Sequence, residues 1–409
     1  MIDRLLLGIA MRLTRLTSCL AKSGLFTVIS TVIFASAAAY FSLDPADLGA
    51  QDTKETDSKV EEADPDYVVP DGTPDEIMEF LDKLKARKTK FANRHEKIDH
   101  AIKLHRAMIN AGDQILGQHA DAKTAANAAK MKLNSLTVLA ANGIGDGAKE
   151  AMVAVTNLRA DKRPEVSKVA NQFWTTIRIL NVSTLDPAGR KKLTNEILTS
   201  VADSKFSQES SSLATLLAEN LSSKGHVDEA GEVYDGLSKL AKDADDPEIR
   251  SSASQFEGIA RRTRLPGHFL ALEGKTLNGA ELDWASYRGK VVLVDFWATW
   301  CGPCVQELPN VLKNYKKYHD KGFDVVGISL DRSSKPLERF IQKNEIPWTQ
   351  LYDAEIQKGE GWNHPIARHF GISAIPATIL VDQEGNVVSL QARGAELTVL
   401  LEKLLGNPK

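Results

Sequence analysis

Two cysteines three residues apart place the strongest constraint on what this chain can fold into. Cys301 and Cys304 enclose Gly302 and Pro303, and they are two of the three cysteines in 409 residues. A pair with this spacing can close a disulfide, bind a metal or fill space in a core. A structural zinc site usually needs four ligands. Neither the third cysteine, Cys19, nor the nearest histidines supply the missing two at a suitable spacing, so no metal is expected.

The residues on either side of the pair predict a strand that runs into a helix. Residues 291–296 are rich in β-branched and aromatic side chains, and residues 305–318 carry apolar side chains at helical spacing. Cys301 therefore falls at a helix N-terminus, where unpaired N–H groups and the helix dipole favour a thiolate. Cys304 is expected one turn further along, less exposed, and placed to attack a mixed disulfide on Cys301.

The two residues between the cysteines suit thiol exchange. Pro303 fits the first turn of a helix, and Gly302 lets the backbone turn without covering the sulfur. A Cys301 thiolate would attack a disulfide of a partner protein, and Cys304 would resolve the mixed disulfide. The Cys301–Cys304 disulfide is therefore the expected redox group, with no other cofactor.

The motif WCGPC after VDFWA resembles thioredoxin. Residues 263–409 are similar to the TlpA-like disulfide reductases of bacterial cell envelopes, in GFDVVGISLD (322–331) and GISAIPATILVD (371–382). The resemblance implies a thioredoxin-like α/β domain and a thiol–disulfide oxidoreductase that reduces disulfides, because Gly-Pro is also the dipeptide of thioredoxin. It implies that the Ile375–Pro376 bond is cis, lies against the disulfide and borders the strand of a bound substrate. Strands are expected near residues 269–272, 291–296, 324–329, 377–381 and 387–390, and helices near 305–318, 336–344 and 397–405.

Three further side chains are candidates for the site. Asp295 matches the buried aspartate of thioredoxin, which implies a raised pKa and a part in moving the proton of Cys304. Glu307 matches a glutamate of the TlpA-like group that tunes the thiol pair. Trp300 is expected to shape the surface that a partner meets. The alternatives are a hydrogen-bonded aspartate at a strand end and a glutamate placed by the helix dipole.

A peroxiredoxin-type peroxidase is the nearest enzymatic alternative, because its fold is similar. Its peroxidatic cysteine follows a threonine by three residues and a proline by more. Here Thr299 precedes Cys301 by two residues, and Pro303 follows it. The sequence therefore fits a peroxidase less well than a reductase.

The N-terminal part of the chain predicts export. Four basic residues precede a stretch without charge at 23–43, which is long enough to cross a bilayer. Residues 35–37, Ala-Ser-Ala, offer a cleavage site. Residues 1–41 are expected to be a signal peptide or an N-terminal membrane anchor, with residues 24–43 in the inner membrane if uncleaved. Residues 42–72 contain ten acidic residues and two lysines, and are expected to form a disordered linker.

Export would place the thiol pair in the oxidising periplasm or cell envelope. The expected partners there are disulfide-containing proteins and a membrane dithiol that supplies electrons. A net charge of −3 and a pI near 6.3 give no reason to expect nucleic-acid binding.

Residues 73–262 predict eight or nine helices, several of them started by proline. Their spacing suggests helical hairpins of about 40 residues, and residues 225–234 are similar to a tetratricopeptide-like unit. The predicted fold class is an all-α helical-hairpin region followed by a thioredoxin-like α/β domain at 263–409. Helical stacks often bind partners, so the alternative function is a docking or scaffold protein with a secondary redox domain.

Overall fold

The computed structural model describes residues 64–87, 89–357 and 361–406. The chain divides into two compact units, and the division falls between Asp186 and Pro187. The predicted signal or anchor segment and residues 42–63 of the predicted linker lie outside the described residues. Within the described ranges, no helix has the combination of length and apolar character that a membrane crossing requires.

The described part of the first unit is helical. A capping box starts its first helix, because the Thr73 hydroxyl accepts from the Glu76 N–H and the Glu76 carboxylate accepts from the Thr73 N–H. The helices are α1 (Pro74–Ala86), α2 (Arg94–Gly117), α3 (Ala122–Ala141), α4 (Gly147–Arg159) and α5 (Pro164–Leu180). Their buried faces form two apolar clusters, one between α1, α2 and α3 and one that extends from α2 to α5.

The end of the predicted linker is folded, which differs from the expectation for residues 64–72. Val69 is 7% exposed and belongs to the same apolar cluster as Leu81. The Gln118 side chain donates to the carbonyl of Gly72 at 2.9 Å. Composition predicted a solvated segment here, but one buried valine and a few backbone contacts fix it against the helices.

Four helices open the second unit, and consecutive helices pack on one another. They are α6 (Pro187–Asp203), α7 (Gln208–Ser223), α8 (Val227–Lys242) and α9 (Pro247–Thr263). Nine helices thus lie in the described residues between 74 and 263, which confirms the predicted number. Proline occupies the first helical position at 74, 164, 187 and 247, as predicted. The tetratricopeptide resemblance and the domain limits at 72/73 and 262/263 stay predictions.

A mixed five-stranded sheet follows. Its strands are β1 (Val291–Trp297), β2 (Phe323–Ser329), β3 (Thr349–Leu351), β4 (Ala377–Val381) and β5 (Val387–Ser389). They lie in the order β3-β2-β1-β4-β5. Strand β1 is central and pairs parallel with β2 and antiparallel with β4. This arrangement confirms the predicted fold class. The helices are α10 (Gly302–Tyr318), α11 (Ser334–Lys343), α12 (Ala354–Gln357), α13 (Pro365–His369) and α14 (Ala395–Leu405).

One strand prediction was wrong, and one strand was missed. Residues 269–272 form a loop in which Phe269 makes an isolated bridge to Asn386. Leu270 and Leu272 are buried in the core of the sheet, which explains why this segment alternates like a strand. Strand β3 was not predicted, because Leu351 is the one apolar residue among its three.

Candidate active site

Cys301 and Cys304 form a disulfide at the start of α10. Cys301 is the N-cap residue, and its Sγ accepts from the N–H of Cys304 at 3.2 Å. The predicted position of the pair is therefore confirmed, although α10 begins at Gly302 and not at residue 305. When the pair is reduced, the free N–H groups of the first turn favour the thiolate of Cys301 over its thiol.

The turn between the cysteines faces solvent. Gly302 and Pro303 are exposed, and a Cβ on Gly302 would meet no atom within 4 Å. Cys301 and Cys304 are each 5% exposed, so the expected difference in their exposure is absent in the disulfide form.

A buried carboxylate holds the loop that precedes the disulfide. Asp331 follows β2 and is 2% exposed. Its oxygens accept from the Thr299 N–H at 3.1 and 3.2 Å and from the Thr299 hydroxyl at 2.5 Å. The Ser329 hydroxyl donates to the same carboxylate at 2.9 Å. Three protein donors on one carboxylate fix the loop firmly, since hydrogen bonds to charged groups are the stronger ones.

Two exposed tryptophans lie beside the site. Trp300 is 52% exposed, and its indole N–H donates to the carbonyl of Leu330 at 3.3 Å. Trp362, 40% exposed, places its ring centroid 6.2 Å from that of Trp300. Trp297, in contrast, is a core residue whose indole donates to Gln350. Trp300 therefore lies on the surface next to Cys301, as expected.

Asp295 lies in β1 with a perturbed carboxyl group. Burial raises its pKa to about 7, repulsion from Glu307 adds to the rise, and Arg393 opposes it. Across the antiparallel register its partner is Thr378, which is 4% exposed. Within the described residues, the Thr378 hydroxyl has no hydrogen-bond partner. The expected rise in the pKa of Asp295 is thus present, while its part in proton movement stays a prediction.

Glu307 ties α10 to the loop before α14. One carboxylate oxygen accepts from the Gly394 N–H at 2.7 Å and from the Asn310 side chain at 2.7 Å. These contacts are to a backbone N–H and a side-chain amide, and the charge of Glu307 acts on Asp295 by repulsion. The role predicted for Glu307 in tuning the thiol pair remains untested.

The Ile375–Pro376 bond is cis, as predicted. Ile375 is buried, and the Pro376 carbonyl accepts from Arg393 at 2.9 Å. Because Ala377 pairs with Phe296, Pro376 lies at the end of the sheet where β1 leads into the disulfide loop. Arg393 thus binds the proline loop, residues 371–376, and its positive charge also opposes the rise in the pKa of Asp295.

Comparison with known proteins identifies the fold of this region. Residues 253–400 match the family model described as Redoxin. Residues 253–400 are a thioredoxin-like domain. The chain is 27% identical over 129 residues to thiol-disulfide oxidoreductase ResA of Bacillus thuringiensis subsp. konkukian. These aligned residues cover 32% of this chain and 69% of the relative. For the protein of the same name from Bacillus subtilis, identity is 26% over 134 residues, covering 33% and 68%. The thioredoxin domain of a thiol-disulfide oxidoreductase from Bacteroides vulgatus is 32% identical, covers 34% of this chain and 97% of that one, and has a TM-score of 0.31.

The TlpA-like resemblance of the thioredoxin-like domain is confirmed by these matches. With a disulfide at the N-terminus of α10, the domain is a thiol–disulfide oxidoreductase, as predicted. The match to the family model begins inside α9, before the predicted domain limit at 262/263, and that limit stays a prediction.

Three residues of this domain were not assigned a role from the sequence. Asp331 carried a usable signal, because it directly follows an apolar strand, and functional residues of α/β sheets gather at the carboxyl ends of parallel strands. Arg393 and Thr378 carried none. An arginine in a loop and a threonine in a strand are ordinary residues, and only the sheet topology brings them near Asp295.

Proposed function

We propose that this protein reduces disulfides of partner proteins through the Cys301–Cys304 dithiol. The proposal rests on the position of Cys301 as the N-cap of α10, which favours its thiolate. The thiolate attacks one sulfur of the partner disulfide, and the other sulfur leaves and takes up a proton. Cys304 then loses its proton and attacks Cys301, which releases the second partner sulfur as a thiol. Two electrons and two protons pass to the partner, and the enzyme is left oxidised.

Asp295 is the acceptor of the Cys304 proton in this scheme. A general base works best when its pKa lies near the working pH, and a pKa of about 7 meets that condition. Glu307 acts through Asp295, because its negative charge raises the pKa of that carboxyl. Arg393 acts in the opposite direction.

The reducing direction is supported by the residues between the cysteines. Gly302 and Pro303 form the same dipeptide as in thioredoxin, a reductant with a reduction potential of about −270 mV, whereas that of the oxidant DsbA is about −120 mV. In the proposed binding mode, the partner chain lies along the backbone beside Pro376, with Trp300 and the turn residues in contact with it.

The protein acts in the cell envelope, delivered by residues 1–41. In that oxidising compartment the dithiol must be regenerated. A membrane dithiol supplies the two electrons: it reduces the Cys301–Cys304 disulfide and becomes a disulfide itself.

The experiment is a trap of the mixed disulfide in cells. The Cys304→Ser protein keeps the attacking thiol and lacks the resolving one, so partners should accumulate on Cys301 and be released by dithiothreitol. The Cys301→Ser protein is the matched control and should carry few adducts. Absence of adducts on Cys304→Ser, together with failure of the reduced wild-type protein to reduce insulin, would refute the proposal. Faster consumption of a peroxide than of insulin would favour the peroxidase instead.

A further inference from the structure

Helix α9 holds the end of α13, the short helix that precedes the proline loop. The Arg261 side chain donates through Nε to the carbonyl of His369 at 2.9 Å. Arg262 donates through Nη1 to the carbonyls of Phe370 and Gly371, at 2.8 and 3.1 Å. The last carbonyls of a helix have no partner inside it, and side-chain donors commonly satisfy them. Two consecutive arginines thus bind three consecutive carbonyls.

The two backbones meet at a pair of glycines. Gly371 has a φ of +58°, and a Cβ on it would lie 2.5 Å from the backbone nitrogen of Ile259 and 2.8 Å from the carbonyl carbon of Gly258. A Cβ on Gly258 would in turn overlap the backbone of Gly371. The approach of α9 to this turn therefore requires that both positions lack a side chain.

The chain is short between this contact and the cis peptide bond. Four residues separate Gly371 from Pro376. Ile372 and Ile375 are 7% and 4% exposed, and the Ile372 N–H donates to the carbonyl of Ala367 at 2.8 Å. The Gly371 turn and the Ile375–Pro376 bond are therefore joined by a short segment, anchored in the core at Ile372 and Ile375.

We propose that Arg261 and Arg262 are positioning residues for the binding of substrate proteins, acting through residues 371–376. The inference rests on the proposed function, in which a partner chain lies beside Pro376. Without the arginines, the carbonyls at 369–371 lose their donors and the loop can shift. A displacement on the order of 1 Å can reduce a rate about a hundredfold when it misplaces a bound substrate. A small disulfide needs only to reach Cys301, so its reaction does not depend on the loop.

The test compares a protein disulfide with a small one, using the full chain. We expect Arg262→Ala to lower kcat/KM for insulin by about tenfold or more, while the rate of exchange with oxidised glutathione stays within about twofold. Arg262→Lys, which keeps the charge and one donor group, should recover part of the loss. Arg250→Ala is the matched control, because Arg250 lies on the same helix and donates to the carbonyls of Ala244 and Asp245 instead. It should change neither rate.

A milder variant covers the case in which Arg262→Ala does not fold. Arg261 is exposed and makes one of the three contacts, so Arg261→Ala should lower the insulin rate by about threefold and leave glutathione exchange unchanged. Amide hydrogen exchange in residues 372–375 should quicken in both variants. Unchanged insulin rates, or equal losses on both substrates, would overturn the inference. A wild-type protein that reduces oxidised glutathione but not insulin would instead overturn the proposed function.

Discussion

Replacing Asp295 with asparagine should stabilise the protein at neutral pH and have little effect at acid pH. Burial raises the pKa of the Asp295 carboxyl from 3.8 to about 7 in the folded state. Between these values the folded state binds the proton more tightly than the unfolded state does. The contribution of Asp295 to the free energy of unfolding therefore falls as the pH rises from about 4 to about 7, and then stays level.

The size of the effect follows from the pKa difference. A difference of about 3 pH units, at about 1.4 kcal/mol each, corresponds to about 4 kcal/mol of unfolding free energy. Asparagine has nearly the same shape as aspartate and does not ionise in this range. Asp295→Asn should therefore be more stable than the wild type by up to about 4 kcal/mol at pH 8, and by much less at pH 4.

Urea unfolding of the oxidised protein at several pH values measures this difference. Tryptophan fluorescence is a suitable signal, because five of the six tryptophans lie between residues 284 and 362. Asp331→Asn is the matched control, and it should lower the unfolding free energy instead of raising it. Its carboxylate accepts from Thr299 and Ser329, so the amide should cost about 2 kcal/mol at pH 7. The reasoning would be refuted if the increase in unfolding free energy caused by Asp295→Asn did not grow with pH, or if there were no increase at pH 8.

Two further substitutions test the surroundings of Asp295. Glu307→Gln removes a charge that raises the pKa of Asp295. The pH range in which ionisation of Asp295 lowers the unfolding free energy should therefore move down by a fraction of a pH unit, as measured by the same urea unfolding. A move upward would contradict the assigned repulsion. Thr378→Val replaces a buried hydroxyl that has no partner within the described residues, and should raise the unfolding free energy by about 1 kcal/mol at every pH. A loss of 1 kcal/mol or more in that variant would show that the hydroxyl is hydrogen-bonded in solution.

Features set by neighbouring residues could be predicted from the sequence. The apolar run of β1 and the periodic side chains of α10 are local signals, and together they placed Cys301 at a helix N-terminus. Proline is also a local signal, and it marked the starts of four helices because its fixed φ and missing N–H suit the first turn. The cis bond before Pro376 required the family resemblance, since a cis X–Pro bond leaves no local signature.

Features set by distant residues could not be predicted in this way. Asp331 reaches Thr299 because β2 lies beside β1 with Ser329 opposite Trp297, a register that only the folded sheet defines. The buried position of Val69 likewise depends on α1 and α2, and the acidic composition around it pointed to a linker. In each case the deciding contact joins segments tens of residues apart.

The contacts at the end of α9 also join distant residues and could not be predicted from the sequence. They affect where the chain can be truncated without loss of activity. From the sequence, Arg261 and Arg262 are basic residues in a last helical turn, where the helix dipole accounts for them. In the folded unit they bind the carbonyls of 369–371, so a truncation at the predicted limit of 262 removes these contacts. Residues 187–409 should therefore reduce insulin with at least half the kcat/KM of the full chain, whereas residues 263–409 should lose about tenfold or more. Equal rates for the two fragments would show that α9 is dispensable, and a large loss for residues 187–409 would favour docking of the partner by α1–α5.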